Sequence, residues 1–161
     1  MREFKLWFAL ASRLTLGGVL LVAGYLKYDE IDKSQMAVRA YEMLPIALAN
    51  FIGIVLPFAE IGMGLLLILG AATRITAALS ALLMVVFVIG ISQAWARGLS
   101  IDCGCFGGGG QVEPGTANYL TPLLRDTGLL ALGIYLFRYP QSKFSLDKSS
   151  QKLNLEKRDM K

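Results

Sequence analysis

The sequence predicts an all-α integral membrane protein, a four-helix bundle with both termini in the cytoplasm. The 161 residues are 55% hydrophobic and 17% charged, with a mean hydropathy of +0.53, whereas soluble domains carry about 25% charged residues. The apolar residues form long blocks, which favours lipid as the surrounding solvent. A helix needs about 20 mostly apolar residues to cross a bilayer. Four segments meet that length, at about 6–26, 48–69, 75–95 and 119–137.

The first of these segments is predicted to be a spanning helix. Its glycines, among them Gly17 and Gly24, would let a neighbouring helix approach closely. The alternative is a cleavable signal peptide, because Arg2 and Lys5 precede the apolar run. Since Arg13 interrupts the run, and the run is longer than the apolar core of a typical signal peptide, the spanning helix is favoured.

A short amphipathic helix is predicted between the first two spans. Apolar residues recur at helical spacing in 34–44, and Pro45 follows, a pattern typical of a helix lying on the membrane surface. The second span contains Pro57. Proline cannot donate to the carbonyl four residues earlier, that of Gly53, so we expect a kink at that level.

The distribution of Lys and Arg predicts the orientation. Cations concentrate at the N-terminus and in residues 138–161. In the loop after the first span, acidic residues balance the basic ones, and the loop after the third span has Arg97 as its single basic residue. Basic segments stay on the cytoplasmic side. We therefore expect a membrane domain over 1–137 and a basic cytoplasmic tail over 138–161, with the loop after the third span outside. The tail explains the net charge of +4, so nucleic-acid binding is not predicted.

The most informative segment is Ile101-Asp102-Cys103-Gly104-Cys105-Phe106-Gly107, which holds both cysteines of a chain that has no histidine. A disulfide across one residue closes a ring of strained geometry, and strained disulfides are the more oxidising ones. The ring is also too short to stabilise the fold through chain entropy. Outside the cytoplasm disulfides persist. We therefore predict Cys103 and Cys105 as the catalytic pair, exchanging with a partner thiol.

Other interpretations of the cysteines are weaker. Two sulfurs are too few ligands for a metal site within this chain, so no metal is predicted, although a site shared with a partner protein stays open. Inert cysteines in a glycine-rich turn are a further alternative. The glycine run lacks the Lys-Ser/Thr context of a phosphate-binding loop.

Ionisable residues within the spans are expected to face the protein interior or a cavity, because they are costly in lipid. Glu60 lies in the second span, about one turn beyond Pro57, while Arg125 and Asp126 enter the fourth. Adjacent helical residues diverge by about 100°, so we expect Arg125 and Asp126 to pair with other groups: Lys27 or Arg97 for Asp126, and Glu60 for Arg125. Structural ion pairing without chemistry is the alternative. The residues predicted to support the cysteines are Lys27, Glu60, Arg97, Asp102, Arg125 and Asp126.

Several motifs together resemble one family of membrane proteins. They are Arg13 with Gly17, Gly24-Tyr25-Leu26-Lys27, Tyr41-Glu42-Met43-Leu44-Pro45, Leu56-Pro57-Phe58-Ala59-Glu60, Arg97-Gly98, the segment 102–107 and Arg125-Asp126. This combination resembles the MauE branch of the DoxX-like membrane proteins over about residues 6–137. The element Cys-Gly-Cys-Phe-Gly with a downstream Arg-Asp is the most specific part.

The resemblance implies four transmembrane helices in the bacterial cytoplasmic membrane. MauE proteins are associated with methylamine utilisation, where they support maturation of a disulfide-rich periplasmic dehydrogenase. Related DoxX-like proteins are linked to sulfur and thiol metabolism, including a thiosulfate:quinone oxidoreductase. The resemblance does not select a pathway for this chain.

The leading hypothesis is a redox-associated membrane protein that exchanges electrons or sulfur with a periplasmic partner, of thioredoxin-like, rhodanese-like or disulfide-rich type. Cations at Lys27, Arg97 and Arg125 would favour the thiolate. Quinone is the candidate cofactor that would recycle the pair, in the apolar interior near Pro57 and Glu60. The alternative is a non-catalytic accessory subunit of a larger membrane complex. A transporter is a weaker third hypothesis, since no inverted repeat is evident.

Overall fold

The computed structural model describes residues 2–102, 104 and 108–140. Within this part of the chain, five helices and one pair of short strands form. The helices are α1 (Arg2–Asp29), α2 (Ile31–Ala40), α3 (Ile46–Leu69), α4 (Thr73–Ala96) and α5 (Leu120–Arg138), and the strands are β1 (Ile101–Asp102) and β2 (Gly110–Gln111). The strands pair antiparallel with each other.

Four of these helices are long and apolar enough to cross a membrane: Phe4–Asp29, Ile46–Leu69, Thr73–Ala96 and Leu120–Arg138. The predicted all-α class and the four spans are therefore confirmed, with each end close to its expected position. Large apolar side chains such as Phe51, Ile75 and Leu82 are exposed on the outer faces of the bundle. Surfaces of this kind suit lipid contact, because they would be unfavourable in water.

Glycines let α1 pack directly on the backbone of α3. A Cβ atom at Gly24 would lie 2.8 Å from the carbonyl oxygen of Pro57, and one at Gly64 would lie 2.8 Å from that of Gly17. Both distances are shorter than real Cβ contacts, so only glycine permits this approach. In membranes helices gain little from apolar burial against each other, and close backbone packing is one of the main sources of association.

Aromatic contacts show which ends of the helices meet. The ring of Phe8, early in α1, meets Tyr135, late in α5, edge to face at 4.8 Å. Lys5 lies over the ring of Tyr139, and Arg74 lies over that of Phe137. The start of α1, the α3–α4 turn and the end of α5 thus form one end of the bundle, here called the basic end. The opposite end, which carries α2 and residues 97–119, is called the loop end.

The short helix after α1 differs from the prediction over 34–44. It begins at Ile31 and ends at Ala40. The helix cannot continue to residue 44, because Glu42 takes a left-handed backbone conformation with φ 51°, which a right-handed helix does not contain. It also packs on α3 rather than only lying on the membrane surface. A Cβ at Gly53 would stand 2.6 Å from the Cα of Gln35, so glycine makes this contact possible.

The α2–α3 contact resolves the hydrogen-bond defect expected at Pro57. The helix α3 runs through Pro57 as one element. The hydroxyl of Ser34 donates to the carbonyl of Gly53 at 2.8 Å, in a buried setting. This is the carbonyl that Pro57 cannot satisfy. A side chain of α2 therefore supplies the hydrogen bond that α3 lacks, as buried backbone groups require.

Candidate functional site: the cysteine loop and the buried ion pair beneath it

The cysteine loop, residues 97–119 between α4 and α5, is organised by a short hairpin. Ile101 pairs with Gln111 and Asp102 pairs with Gly110, so residues 103–109 form the connection between the strands. The predicted pair Cys103 and Cys105 lies outside the described residues. Gly104, which is bonded to both cysteines, is described and buried.

Two glycines, Gly104 and Gly109, allow this connection to pack closely against α2. Gly104 has φ +64°, and a Cβ there would stand 2.5 Å from the Cβ of Ala37. A Cβ at Gly109 would also stand 2.5 Å from the Cβ of Ala37, and 2.9 Å from the carbonyl oxygen of Lys33. Both positions combine a positive φ with a contact that no side chain allows. The position of Gly104 on α2 therefore depends on glycine at both places.

Asp102 shapes the connection. Its Oδ1 accepts a long hydrogen bond from the N–H of Gly104 at 3.5 Å. Its Oδ2 occupies the position that a Cβ at Gly108 would need. The carboxylate therefore folds over the backbone of the turn while its residue stays solvent exposed. Both of these contacts are made with the backbone of the loop itself.

Beneath α2 lies an ion pair between α1 and α3. The ammonium Nζ of Lys27 donates to Oε1 of Glu60 at 2.6 Å, and the two side chains are only 4% and 1% exposed. Lys27 also lies 5.3 Å from the ring centre of Phe87 on α4. Pairing neutralises two charges that would be costly alone in the membrane. Both residues were expected to support the cysteines, but Lys27 was expected, with Arg97 as the alternative, to pair with Asp126, and its partner is Glu60 instead.

Each residue of the ion pair lines a small space in the bundle. Lys27 and Gly104 line the first, together with Ser34, Ala37, Val38, Tyr41, Leu56 and Phe87. Glu60 lines the second, together with Arg125, Asp126 and residues of α1 and α4. Phe87 borders both. Lys27 and Gly104 thus share one space, and Glu60 shares the other with Arg125 and Asp126.

Arg125 and Asp126 are paired with each other, so the expectation that they would not pair was wrong. The Nε of Arg125 donates to Oδ1 of Asp126 at 2.8 Å. The angular argument considered only the directions of the Cα–Cβ bonds, whereas the long arginine side chain bends back to its neighbour. Asp126 is buried at 2% exposure and Arg125 is partly exposed.

Arg97 has a different partner from the one predicted. Its guanidinium donates to Oε2 of Glu42 at 3.1 Å and to the carbonyl of Tyr41 at 3.3 Å. Because α4 ends at Ala96, Arg97 leaves the helix beside the α2–α3 connection. The expected pairing with Asp126 is therefore wrong.

A family model described as methylamine utilisation protein MauE matches residues 5–139. The chain belongs to the MauE family. Apart from Phe4, the matched region contains all four membrane spans, and it includes the whole cysteine loop. The family resemblance noted in the sequence is therefore confirmed for MauE, while the link to DoxX-like proteins stays a prediction. No curated protein and no solved structure matches this MauE-family chain.

One residue of this MauE-family site was missed by sequence reasoning. Tyr119, at the start of α5, donates its hydroxyl hydrogen to the carbonyl of Leu99 and accepts from the N–H of Ile101 at 3.4 Å. Its ring stacks on Trp95. Tyr119 therefore ties the cysteine loop to the end of α4. A tyrosine at the edge of a span ordinarily indicates a membrane interface, so no distinct signal in the sequence marks this role.

Proposed function

We propose that this MauE-family membrane protein exchanges electrons or sulfur with a thiol or disulfide partner outside the membrane, through Cys103 and Cys105. The observation that carries the proposal is the contact of Gly104 and Gly109 with Ala37. This contact fixes the backbone between the cysteines next to the space lined by Lys27. A cation near a cysteine favours the reactive thiolate, and the family is associated with a redox-related pathway.

The exchange step is a thiol–disulfide interchange. A thiolate of the partner attacks one sulfur of the Cys103–Cys105 disulfide, the S–S bond breaks, and a mixed disulfide forms. The partner's second thiolate then releases the partner as a disulfide, so two electrons pass to the cysteine pair. With a rhodanese-like partner, a persulfide sulfur would instead pass to a cysteine thiolate, and the partner would leave as a thiol.

Quinone is the proposed oxidant of the reduced pair. Re-forming the disulfide releases two electrons and two protons, which convert a quinone to its quinol. The apolar faces of α3 and α4 suit contact with a molecule dissolved in the lipid.

The proposed location is the bacterial cytoplasmic membrane, with the cysteine loop in the periplasm. Lys5, Arg74 and Arg138 lie at the basic end of the bundle, and the basic residues of 141–161 follow in sequence. Cytoplasmic loops carry the excess of Lys and Arg, which supports the basic end as the cytoplasmic one.

Labelling of the cysteines in membranes across a series of thiol redox buffers tests the exchange. A membrane-impermeant maleimide should label reduced Cys103 and Cys105 from outside, and labelling should fall to zero in oxidising buffer and return in reducing buffer. The Cys103→Ser/Cys105→Ser variant gives the background. Cysteines that stay reduced in every buffer, or that resist reduction, would contradict the proposal.

A matched set of glycine variants tests the position of the loop. Gly104→Ala should slow labelling, because the added methyl meets Ala37, and Gly104→Ala/Ala37→Gly should recover part of the loss. Gly98→Ala is the control, since Gly98 has a similar φ of +66° but open space around its Cα. Equal effects of Gly98→Ala and Gly104→Ala, with no recovery in the double variant, would show that backbone strain alone matters.

The second candidate function is a non-catalytic accessory subunit of a larger membrane complex. Gly18, Gly62 and Gly128 have open space where a Cβ would stand, which suits close approach by a partner helix. The Cys103→Ser/Cys105→Ser variant separates the two functions. An intact host complex with full pathway activity would favour the subunit, whereas loss of activity with intact assembly favours exchange.

A further inference from the structure

We propose that a water molecule binds in the space that Glu60 and Asp126 line, and that it donates one hydrogen bond to each carboxylate. This water joins the Lys27–Glu60 pair to the Arg125–Asp126 pair in one hydrogen-bond network. All residues of the site lie in the described part of the chain, and the site is independent of the thiol exchange proposed above.

The first observation is a buried oxygen of Glu60. Its Oε1 accepts a hydrogen bond from Nζ of Lys27 at 2.6 Å. Its Oε2 has no donor among the described residues, although the side chain is only 1% exposed. A buried acceptor without a donor is costly, and more so when it is charged. Buried waters typically satisfy such groups, so Oε2 is the expected acceptor for a bound water.

The second observation is the space beside this carboxylate. All four membrane-spanning helices contribute to its lining, with Ala23 from α1, Glu60 from α3, Met84 from α4 and Asp126 from α5. Its volume is about 20 Å³. A cavity of about 10–15 Å³ or more can hold one water molecule. The space therefore has room for a water molecule next to Glu60.

The charges around the space favour a neutral ligand that donates two hydrogen bonds. Glu60 and Asp126 are 0% and 2% exposed, and ionised carboxylates offer only acceptors. Lys27 balances the charge of the first carboxylate and Arg125 balances that of the second. An added cation would therefore leave a net charge within the membrane, which is costly. Water is neutral and has two donor hydrogens, so it fits both the charge and the hydrogen bonding of the site.

The position of the site gives the water a structural consequence. Helix α1 packs mainly on α3, and α4 packs mainly on α5, so the bundle consists of two helix pairs. The Lys27–Glu60 pair lies within the first helix pair, whereas Arg125 and Asp126 belong to the second. The other residues that line the space are apolar. A water bound by both carboxylates therefore connects the two helix pairs through hydrogen bonds.

Oxidation of Met84 in the purified full-length protein tests the site. Met84 lines the space and is only 3% exposed. X-ray radiolysis converts each water molecule into a hydroxyl radical where it lies, and a radical formed in the space can oxidise the Met84 sulfur to the sulfoxide. Hydrogen peroxide in the buffer instead reaches exposed methionines such as Met36. Peptide mass spectrometry should show Met84 oxidised by radiolysis and protected from peroxide.

Two alanine variants of α1 separate the bound water from other causes of oxidation. Ala23→Val fills part of the space, so radiolytic oxidation of Met84 should be largely lost. Ala11→Val adds the same atoms at an exposed position of the same helix, and it should leave the oxidation unchanged. Equal oxidation of Met84 in the two variants would overturn the inference.

The wild-type protein decides the inference even if Ala23→Val fails to fold. Met84 that resists radiolysis would overturn the water site. Met84 that peroxide oxidises as fast as Met36 would also overturn it, because the space would then be open to bulk solvent. Neither result bears on the thiol exchange, which maleimide labelling tests separately.

Discussion

Two ion pairs near the loop end of the bundle have the same chemistry and opposite surroundings. Lys27 and Glu60 join α1 to α3 at 2.6 Å, with exposures of 4% and 1%. Arg97 and Glu42 join the end of α4 to the α2–α3 connection at 3.1 Å, with exposures of 45% and 52%. Water screens the second pair, whereas protein and membrane surround the first. Both pairs join a cation to a glutamate, so burial, rather than charge type, distinguishes them.

The largest expected effect is on the buried pair. Lys27→Met or Glu60→Gln should lower the free energy of unfolding by about 3–5 kcal/mol, because each leaves its partner as an uncompensated buried charge. The Lys27→Met/Glu60→Gln variant should lose less than the sum of the two, since it removes both charges. Unfolding in mixed micelles measures the three values. Strict additivity would show that the two side chains are not coupled.

A middle-sized effect is expected at the α2–α3 contact. Ser34→Ala should lower stability by about 1 kcal/mol, since the carbonyl of Gly53 loses its donor. In a Pro57→Ala background the loss should shrink, because alanine at this position restores the backbone N–H. Unfolding of wild type, both single variants and the double variant in the same micelles gives the coupling energy. A loss of the same size in both backgrounds would contradict the role assigned to Ser34.

The smallest effect is expected on the surface pair. Arg97→Met or Glu42→Gln should change the free energy of unfolding by about 0–1 kcal/mol, because exposed pairs are screened by water and salt. The same unfolding assay, repeated at high salt, checks this. A loss as large as that of Lys27→Met would erase the contrast between the pairs.

Much of the fold could be predicted from sequence, because a bilayer constrains both the length and the polarity of the helices that cross it. The length and apolarity of the spans followed from bilayer thickness, and Glu60 stood out because charges in a membrane are costly. Lys27 was expected only as a cation at the outer end of the first span. The partners could not be predicted, since they depend on side-chain reach and on where α4 ends. Arg125 bends to its neighbour Asp126, and Arg97 meets Glu42. The donor from Ser34 to Gly53 required a tertiary contact that the sequence does not reveal.

The proposed function requires that Lys27 of the buried pair, rather than Arg97 of the surface pair, favours the reactive thiolate in the cysteine loop. The most direct test compares alkylation rates of reduced Cys103 and Cys105 at neutral pH in membranes, in Lys27→Met and Arg97→Met. Loss of a cation that favours the thiolate lowers the reactive fraction, so Lys27→Met should react about tenfold more slowly than wild type. Lys27→Arg should recover most of the rate, and Arg97→Met should match wild type. Equal rates in Lys27→Met and Arg97→Met would contradict the account.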